Sequence, residues 1–374
     1  MKKGYYYISC GGTGGHFYPG LSIARELQNR NEKAALLLSG VNSAAQSLTA
    51  RAWGIEAIVL PKMPSPGKNP LRWSLFLLGF AGGFLATFCR FVKQRPKSLF
   101  IMGSFASAPA AAAAFILRVP LYLHDGNARI GKANRILSRQ AKLLCTAFPA
   151  VNADKCRCPV ICTGMPLRQE LEDKCRISKE EAIAELNSKY NCSLSPDVFT
   201  VLIFGGSQGA ATLNKNIPAA LKNICESSFQ VIHLTGKGKL SETEELYKET
   251  PFQKLLLESS PRMELFLGSA DLVFSRSGGS SAAELALFGK CAVLIPYPYA
   301  AEGHQEDNAR HYVKSGAGEM ISDKELTPAA AEETILRHLN NPELLKERSA
   351  NALKAACPNA AAAFLEKAVQ TDGK

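Results

Sequence analysis

Three glycine-rich turns carry the residue types that could do chemistry, and each falls where a strand pattern gives way to a helical one. The first is Gly11-Gly12-Thr13-Gly14-Gly15-His16, four glycines in five residues followed by an imidazole. It follows the β-prone run Tyr5 to Cys10 and precedes Leu21, Ile23, Ala24 and Leu27 at helical spacing, with Pro19 expected near the first turn of that helix, where a missing N–H does no harm. Strand, turn and helix N-terminus present bare backbone N–H groups at the positive end of a helix dipole, which suits a phosphate or another anion. Neither standard nucleotide motif fits. A Rossmann G-x-G-x-x-G begun at Gly12 needs glycine where Phe17 stands, and a Walker A needs a lysine that the loop lacks.

The second turn, Gly205-Gly206-Ser207-Gln208-Gly209-Ala210, follows the apolar run Val198 to Phe204. It satisfies G-x-S-x-G, and Asp271 and His304 follow in the chain order of an α/β-hydrolase triad, so Ser207 is a candidate nucleophile. A diphosphate cradle is the preferred expectation, because an adjacent glycine pair admits close backbone approach and a hydrolase leaves the first loop without a task. The third turn, Ser275-Arg276-Ser277-Gly278-Gly279-Ser280-Ser281 running to Glu284, offers small residues to a nucleotide and a carboxylate to a ribose diol. After it, Gly303-His304-Gln305-Glu306-Asp307-Asn308 supplies amides of the kind that grip sugar hydroxyls. No Asp-x-Asp occurs, which argues against a divalent metal clamping a sugar-nucleotide diphosphate. Helix dipoles and Arg168 are left to stabilise a leaving group.

Two sets of alternating strands and helices must position these turns. In the first half, strands are expected at Ala34 to Ser39, Ile55 to Leu60, Ser98 to Met102, Leu121 to His124 and Leu143 to Thr146, with a helix from Pro109 to Leu117 and a loop from Lys62 to Pro70. After Arg168 the pattern restarts with a helix at Glu180 to Tyr190. Strands are then expected at Val198 to Phe204, Val231 to Thr235, Leu255 to Glu258, Leu272 to Ser275 and Ala292 to Pro296. The expected architecture is α/β: two doubly wound parallel-sheet domains, 1–166 and 167–356, facing a cleft that receives the carboxyl ends of the strands. A last helix, Ala360 to Val369 with Asn359 as its N-cap, lies within a segment, 357–374, expected to cross back to the first domain.

Composition narrows the partners. A formal charge of +11 points to an anionic one, and without a basic reading helix or a basic-aromatic platform nucleic acid ranks last. The start Met1-Lys2-Lys3-Gly4 lacks an apolar signal core, and eleven scattered cysteines then read as reduced thiols of a cytosolic protein. The cluster Cys156-x-Cys158-x3-Cys162 is likewise taken as thiols rather than as a metal site. Trp73 to Phe88 is the most apolar segment, preceded by Lys68 and Arg72 and followed by Arg90, Lys93, Arg95 and Lys97. A core helix that also dips into an anionic membrane surface accounts for it.

Taken together, the motifs resemble the MurG family of bacterial N-acetylglucosaminyltransferases, which convert lipid I to lipid II in peptidoglycan synthesis. The resemblance rests on the three turns, on His124-Asp125-Gly126-Asn127, on Gly164-Met165-Pro166-Leu167-Arg168, and on His304-Gln305 with Asn308. It implies the GT-B fold, an inverting transfer from UDP-N-acetylglucosamine to the 4-hydroxyl of the muramyl sugar of undecaprenyl-linked lipid I, and no metal or other cofactor. It also implies a peripheral place on the cytoplasmic face of the plasma (inner) membrane. Donor contacts would come from Ser207 and Gln208 at the diphosphate, Ser260 near uracil, Glu284 at the ribose with Gly279, Ser280 and Ser281 beside it in the same turn, and Gln305 with Asn308 at the sugar. Thr13, Gly14, Gly15, Asn127 and Arg168 match cleft residues that the family assigns to substrate binding, and are expected to contact the donor as well. Gly12, Thr13, Gly14, His16, Ser104 and Phe105 are expected on the acceptor side, with His16 as general base and Asp125 second.

The chain departs from the family where His-Glu-Gln-Asn reads His124-Asp125-Gly126-Asn127, where Gly-Asn-Pro reads Gly164-Met165-Pro166, and where Gly-Gly-Tyr reads Gly103-Ser104-Phe105. These departures lie in the acceptor half and hinge and motivate one rival, an inert sugar-nucleotide-binding scaffold; two others stand beside it, a related transferase acting on another membrane lipid such as diacylglycerol and the Ser207 hydrolase.

Overall fold

A computed structural model describes residues 4–64, 70–206, 208–224 and 229–372. Among them lie thirteen strands in two sheets, every pairing parallel. The first sheet comprises β1 (Tyr5–Gly11), β2 (Lys33–Ser39), β3 (Glu56–Val59), β4 (Pro96–Ile101), β5 (Leu121–Asp125), β6 (Leu143–Thr146) and β7 (Val160–Cys162), in the order β3-β2-β1-β4-β5-β6-β7. The second comprises β8 (Phe199–Phe204), β9 (Phe229–Leu234), β10 (Lys254–Leu257), β11 (Leu272–Ser275), β12 (Cys291–Leu294) and β13 (Gly318–Met320), in the order β10-β9-β8-β11-β12-β13. In each sheet the order reverses once, between β1 and β4 and between β8 and β11. Loops that leave the carboxyl ends of neighbouring strands diverge there, and ligands of open α/β sheets bind in the opening.

The chain divides into two compact units, Met1–Arg168 with Asn359–Lys374, and Gln169–Pro358. Central strands read as unbroken apolar runs because helices cover both faces: Leu36, Leu37 and Leu38 of β2, and Val201, Leu202 and Ile203 of β8, are essentially without exposure. The helix Ala360–Asp372 belongs to the first unit, where Phe364, Leu365 and Ala368 enter its core. Phe364 meets Phe100 edge-on at 5.1 Å and His124 at 6.0 Å. Burying Phe364 and Leu365 contributes about 1.5–3 kcal/mol each. Asn359 precedes this helix with φ 56 rather than the extended backbone of an ordinary N-cap.

Four elements differ from the sequence expectation. The helix after the first glycine turn spans Gly14–Asn29, so Pro19 lies inside it and the glycines form its opening turn. β7 and β13 have three residues each, too short to announce themselves by alternation. The apolar segment is part of a 24-residue helix, Pro70–Lys93, of which an 18-residue window has mean hydropathy 1.8 and is only 22% buried. Most of the expected loop before it, 65–69, lies outside the described residues.

Candidate functional site

In the first unit the loops after β1, β4 and β5 converge at the carboxyl edge. The Gly12 carbonyl accepts from Asn42 Nδ2 at 2.9 Å, with Gln46 Nε2 at 3.5 Å. Because a trans peptide sets C=O and N–H in opposite directions, the Thr13 N–H points away from Asn42. Thr13, Gly14 and Gly15 are exposed, and a Cβ on Gly12 would meet nothing within 4 Å. The first turn of Gly14–Asn29 contains no acidic residue, so its dipole and N–H groups are offered to an anion. Arg168 lies over the Tyr18 ring of this helix at 5.1 Å, which brings a guanidinium to the same end.

His16 is half-buried, and its Nδ1 donates to the Met102 carbonyl just after β4, at 2.7 Å. That bond spans the reversal point of the sheet and makes Nε2 the basic nitrogen of the neutral ring. Gly103 permits it: with φ 87 and a Cβ position 3.1–3.2 Å from Cε1 and Nδ1 of His16, any side chain there would displace the imidazole. Ser104 has φ 71 and ψ 139, and its Oγ accepts from Ala106 N–H at 3.3 Å, while Phe105 is 54% exposed.

Asp125 stands differently from the base expected of it. Its carboxylate is buried and accepts from Asn127 N and Nδ2 (3.2 and 3.4 Å), Gly131 N (2.8 Å) and Asn134 Nδ2 (3.0 Å). With its lone pairs committed to these donors, it shapes the turn that carries Asn127. His124 is buried beside it, Nε2 at 3.0 Å from the Gly164 carbonyl, and burial lowers its pKa.

In the second unit β8 ends at Gly205 and Gly206, and β11 ends at Arg276 and Ser277. Gln208 is exposed, and a Cβ on Gly206 would meet nothing within 4 Å, so backbone is open to a ligand as at Gly12; Ser207 lies outside the described residues. The helices Ala211–Asn223 and Gly279–Leu287, which follow the two turns, also lack acidic residues in their first turns. By contrast Glu180 and Glu181 open the helix Lys179–Tyr190. Gly279 is buried, and Ser280, Ser281 and Glu284 are half-buried on their helix. Ser260 Oγ lies 3.0 Å from Tyr190 OH and accepts from Arg262 N–H at 3.1 Å.

The amide segment is fastened to the third turn through Ser277, a residue with no exposure that the motif alone did not single out. Ser277 Oγ donates to the Gln305 carbonyl at 2.8 Å, and Asn308 Nδ2 donates to the Ser277 carbonyl at 3.0 Å. Gln305 Oε1 accepts from Tyr297 N–H at 2.9 Å. Asn308 is fully buried, so this side chain holds the turn in place rather than facing solvent. Arg276 Nη1 donates to Asp323 Oδ1 and to the Ile295 and Pro296 carbonyls, and Thr212 Oγ1 donates to Asp323 Oδ2 at 3.0 Å. Asp323, invisible as a motif, therefore ties the turn after β11 to the helix after β8.

The hydrolase triad does not assemble. Asp271 precedes β11, opposite the edge that carries the glycine turn, and accepts from Lys179 Nζ at 2.6 Å and Thr200 N at 2.7 Å. His304 Nδ1 donates to the Ala301 carbonyl at 2.9 Å. Among the described residues no group of three or more His, Cys, Asp or Glu side chains is arranged to hold a metal ion. Cys156 and Cys158 pack against the first core, where burial pushes both thiols up, Cys158 to about 11.

Away from these turns, the helix Pro70–Lys93 buries a stripe through Gly79, Gly83, Thr87 and Phe91. It leaves Leu71, Trp73, Leu75, Leu77, Leu78, Leu85 and Val92 exposed. Such an apolar expanse exceeds the scattered surface leucines of an ordinary soluble domain. Charge follows the same division: the first unit holds 24 Lys and Arg against 7 Asp and Glu (+17), the second 20 against 26 (−6).

Family models place these features among known proteins. Residues 6–146 match the glycosyltransferase family 28 N-terminal domain, and residues 200–364 the glycosyltransferase family 28 C-terminal domain. A UDP-N-acetylglucosamine--N-acetylmuramyl-(pentapeptide) pyrophosphoryl-undecaprenol N-acetylglucosamine transferase of Carboxydothermus hydrogenoformans is 32% identical, across 92% of this chain and 91% of the relative. The enzyme of the same description from Desulfitobacterium hafniense is also 32% identical, across 94% and 95%. The crystal structure of Acinetobacter baumannii MurG superposes with a TM-score of 0.76 at 24% identity over the whole of both chains, which identifies the fold as GT-B.

Proposed function

The chain belongs to glycosyltransferase family 28 and to its MurG transferases, and from that premise we propose how its two carboxyl edges divide the reaction. The protein is a UDP-N-acetylglucosamine-dependent glycosyltransferase that delivers N-acetylglucosamine to the muramyl 4-hydroxyl of a lipid-linked diphosphate acceptor, giving lipid II. The second unit takes the donor. Gly205, Gly206, Ser207 and Gln208 meet the diphosphate, Glu284 the ribose, and Gln305 the sugar, with Asn308 and Ser277 holding that segment. The first unit takes the acceptor, whose diphosphate rests on Thr13, Gly14 and Gly15.

One observation carries this division: each carboxyl edge has an open glycine turn at the reversal point of its sheet, followed by a helix whose first turn lacks acidic residues. Helix N-termini of this kind stabilise an adjacent anion by about 0.3–1 kcal/mol each when exposed and up to about 2 when partly buried. In the chemical step the acceptor oxygen bonds to the anomeric carbon with inversion. The bond from that carbon to the β-phosphate oxygen breaks, and its electron pair leaves with UDP. The hydroxyl proton passes to Nε2 of His16, whose orientation the Met102 carbonyl sets. Charge developing on UDP is met by helix dipoles and by Arg168, without a divalent metal.

The protein works as a peripheral enzyme on the cytoplasmic face of the inner membrane. The exposed apolar side of Pro70–Lys93 and the basic first unit support that placement. UDP release from UDP-N-acetylglucosamine tests the assignment: it should require a lipid I analogue, fail with diacylglycerol and survive EDTA. Release on diacylglycerol alone would move the protein to another lipid, and loss in EDTA would refute the metal-free step.

A further inference from the structure

Behind the glycine turn of the second unit runs a chain of buried polar side chains with no place in the reaction as described. Tyr247, His233 and Thr235 have no exposure and Asn214 only 7%. Asn214 Nδ2 donates to the Thr235 carbonyl at 2.8 Å, which leaves Oδ1 to accept from His233 Nε2 at 3.1 Å. Nε2 therefore carries the imidazole proton, and Nδ1 accepts from Tyr247 OH at 3.0 Å. The His233 and Tyr247 rings stand perpendicular with centroids 5.8 Å apart. Hydrogen bonds thus run in one direction, from Tyr247 through His233 and Asn214 to a single backbone oxygen.

That oxygen touches the turn. A Cβ on Gly209 would lie 2.1 Å from it, and a Cβ on Gly236 would lie 2.3 Å from the Gly209 nitrogen. Gly209 has φ 66 and closes the turn by donating its N–H to the Gly206 carbonyl at 2.9 Å. The segment Thr235–Gly236 is pinned from its other side, its two N–H groups donating to Leu257 and Glu258 carbonyls at 2.8 Å each. With backbone against backbone and no side chain between to absorb a shift, displacement of the Thr235 carbonyl moves Gly209.

We propose that His233 is a positioning residue for the donor, fixing Asn214 and through it the Thr235 carbonyl, so that Gly209, which closes the turn after β8 on Gly206, is preset for a nucleoside diphosphate. The proposal rests on the assignment of that turn to the donor's diphosphate. Burial pulls the His233 pKa down to about 3, so the tautomer that the chain requires holds at neutral pH. The effect falls on the phosphates and not on the nucleoside, because the chain ends on the glycine turn.

Calorimetric binding of UDP and of uridine to wild type, His233→Leu and His233→Gln tests this. Wild type should bind UDP more tightly than uridine. His233→Leu should weaken UDP about tenfold, the worth of one hydrogen bond at the upper end of its range, while leaving uridine within about twofold. Glutamine, whose Nε2 can replace the donor to Asn214, should restore UDP to within about threefold. In turnover, the leucine variant should raise KM for UDP-N-acetylglucosamine with kcat and acceptor KM nearly unchanged. Equal losses on UDP and uridine, a glutamine variant as poor as leucine, or unchanged UDP affinity in His233→Leu would each overturn the proposal. A wild-type protein that bound uridine as tightly as UDP would remove the turn's assignment and the proposal together. Should His233→Leu not fold, Asn214→Ala cuts the same chain at the Thr235 carbonyl and must show the same UDP-selective loss; its absence overturns the proposal.

Discussion

Replacing His16 by asparagine separates a base from a mere brace. The imidazole makes a 2.7 Å bond from Nδ1 to the Met102 carbonyl, and an asparagine Nδ2 reaches the position of that nitrogen. His16→Asn therefore keeps the brace and removes Nε2, while His16→Ala removes both. A general base contributes about 10²–10⁴ in rate, which is about 2.7–5.5 kcal/mol of barrier. Loss of the brace alone is worth about 1 kcal/mol, the net value of one hydrogen bond. If Nε2 takes the acceptor proton, both variants should lose at least about a hundredfold in kcat, with UDP affinity held within about threefold. The assay is UDP release at saturating donor and lipid I analogue, with UDP binding measured on the same preparations. A His16→Asn enzyme within about threefold of wild-type turnover would refute the base assignment and leave His16 as the residue that ties the glycine turn to β4.

Four further outcomes are expected. Introducing Leu77→Glu and Leu78→Glu together should abolish sedimentation with anionic vesicles while leaving turnover on a soluble acceptor analogue unchanged, since both side chains are more than half exposed. Phe364→Ala should destabilise the first unit by about 3–5 kcal/mol in urea titration, as expected for a large side chain removed from a core. Ser104→Gly should stabilise the protein by about 1 kcal/mol: relief from a region costing about 1–3 kcal/mol outweighs the lost Oγ contact to Ala106 and the greater freedom of the unfolded chain. His233, lowered from 6.5 to about 3 in the folded state, binds its proton more readily when unfolded. Its contribution to stability is therefore complete above pH 6.5 and is lost as pH falls towards 3, at about 1.4 kcal/mol per pH unit. His233→Gln should flatten that part of the urea-midpoint profile, and an unchanged slope would refute the assignment.

Much of this protein is local chemistry, and that part is legible from residue order. Glycine turns after apolar runs, such as Gly205 to Ala210 after β8, announce themselves because the strand, the turn and the helix start are contiguous. The covered parallel sheets follow from the uniformly apolar β2 and β8. Three-residue β7 and β13 escape because no period can be read from them, and β7 ends on Cys162, one of three clustered cysteines. The start of the first helix was displaced because glycine has poor helix propensity, yet Gly14 and Gly15 are helical when the turn Thr13 to Phe17 closes on the Thr13 carbonyl.

The sequence by itself determined the fold class, the family and the position of the glycine turns, since these depend on composition, on spacing and on residues adjacent in the chain. Tertiary structure alone decided what those residues face. Asp125 and Asn308 belong to polar motifs, but hydrogen bonds from Asn134 and to Ser277 turn them inward. Trp73 to Phe88 looks the same in sequence whether buried or exposed, because a segment apolar on every side carries no mark of which side meets the core. His233 and Asn214 are ordinary residues nineteen positions apart. Their bond, and its path to Gly209, exists because the helix after β8 starts beside the carboxyl end of the neighbouring strand β9.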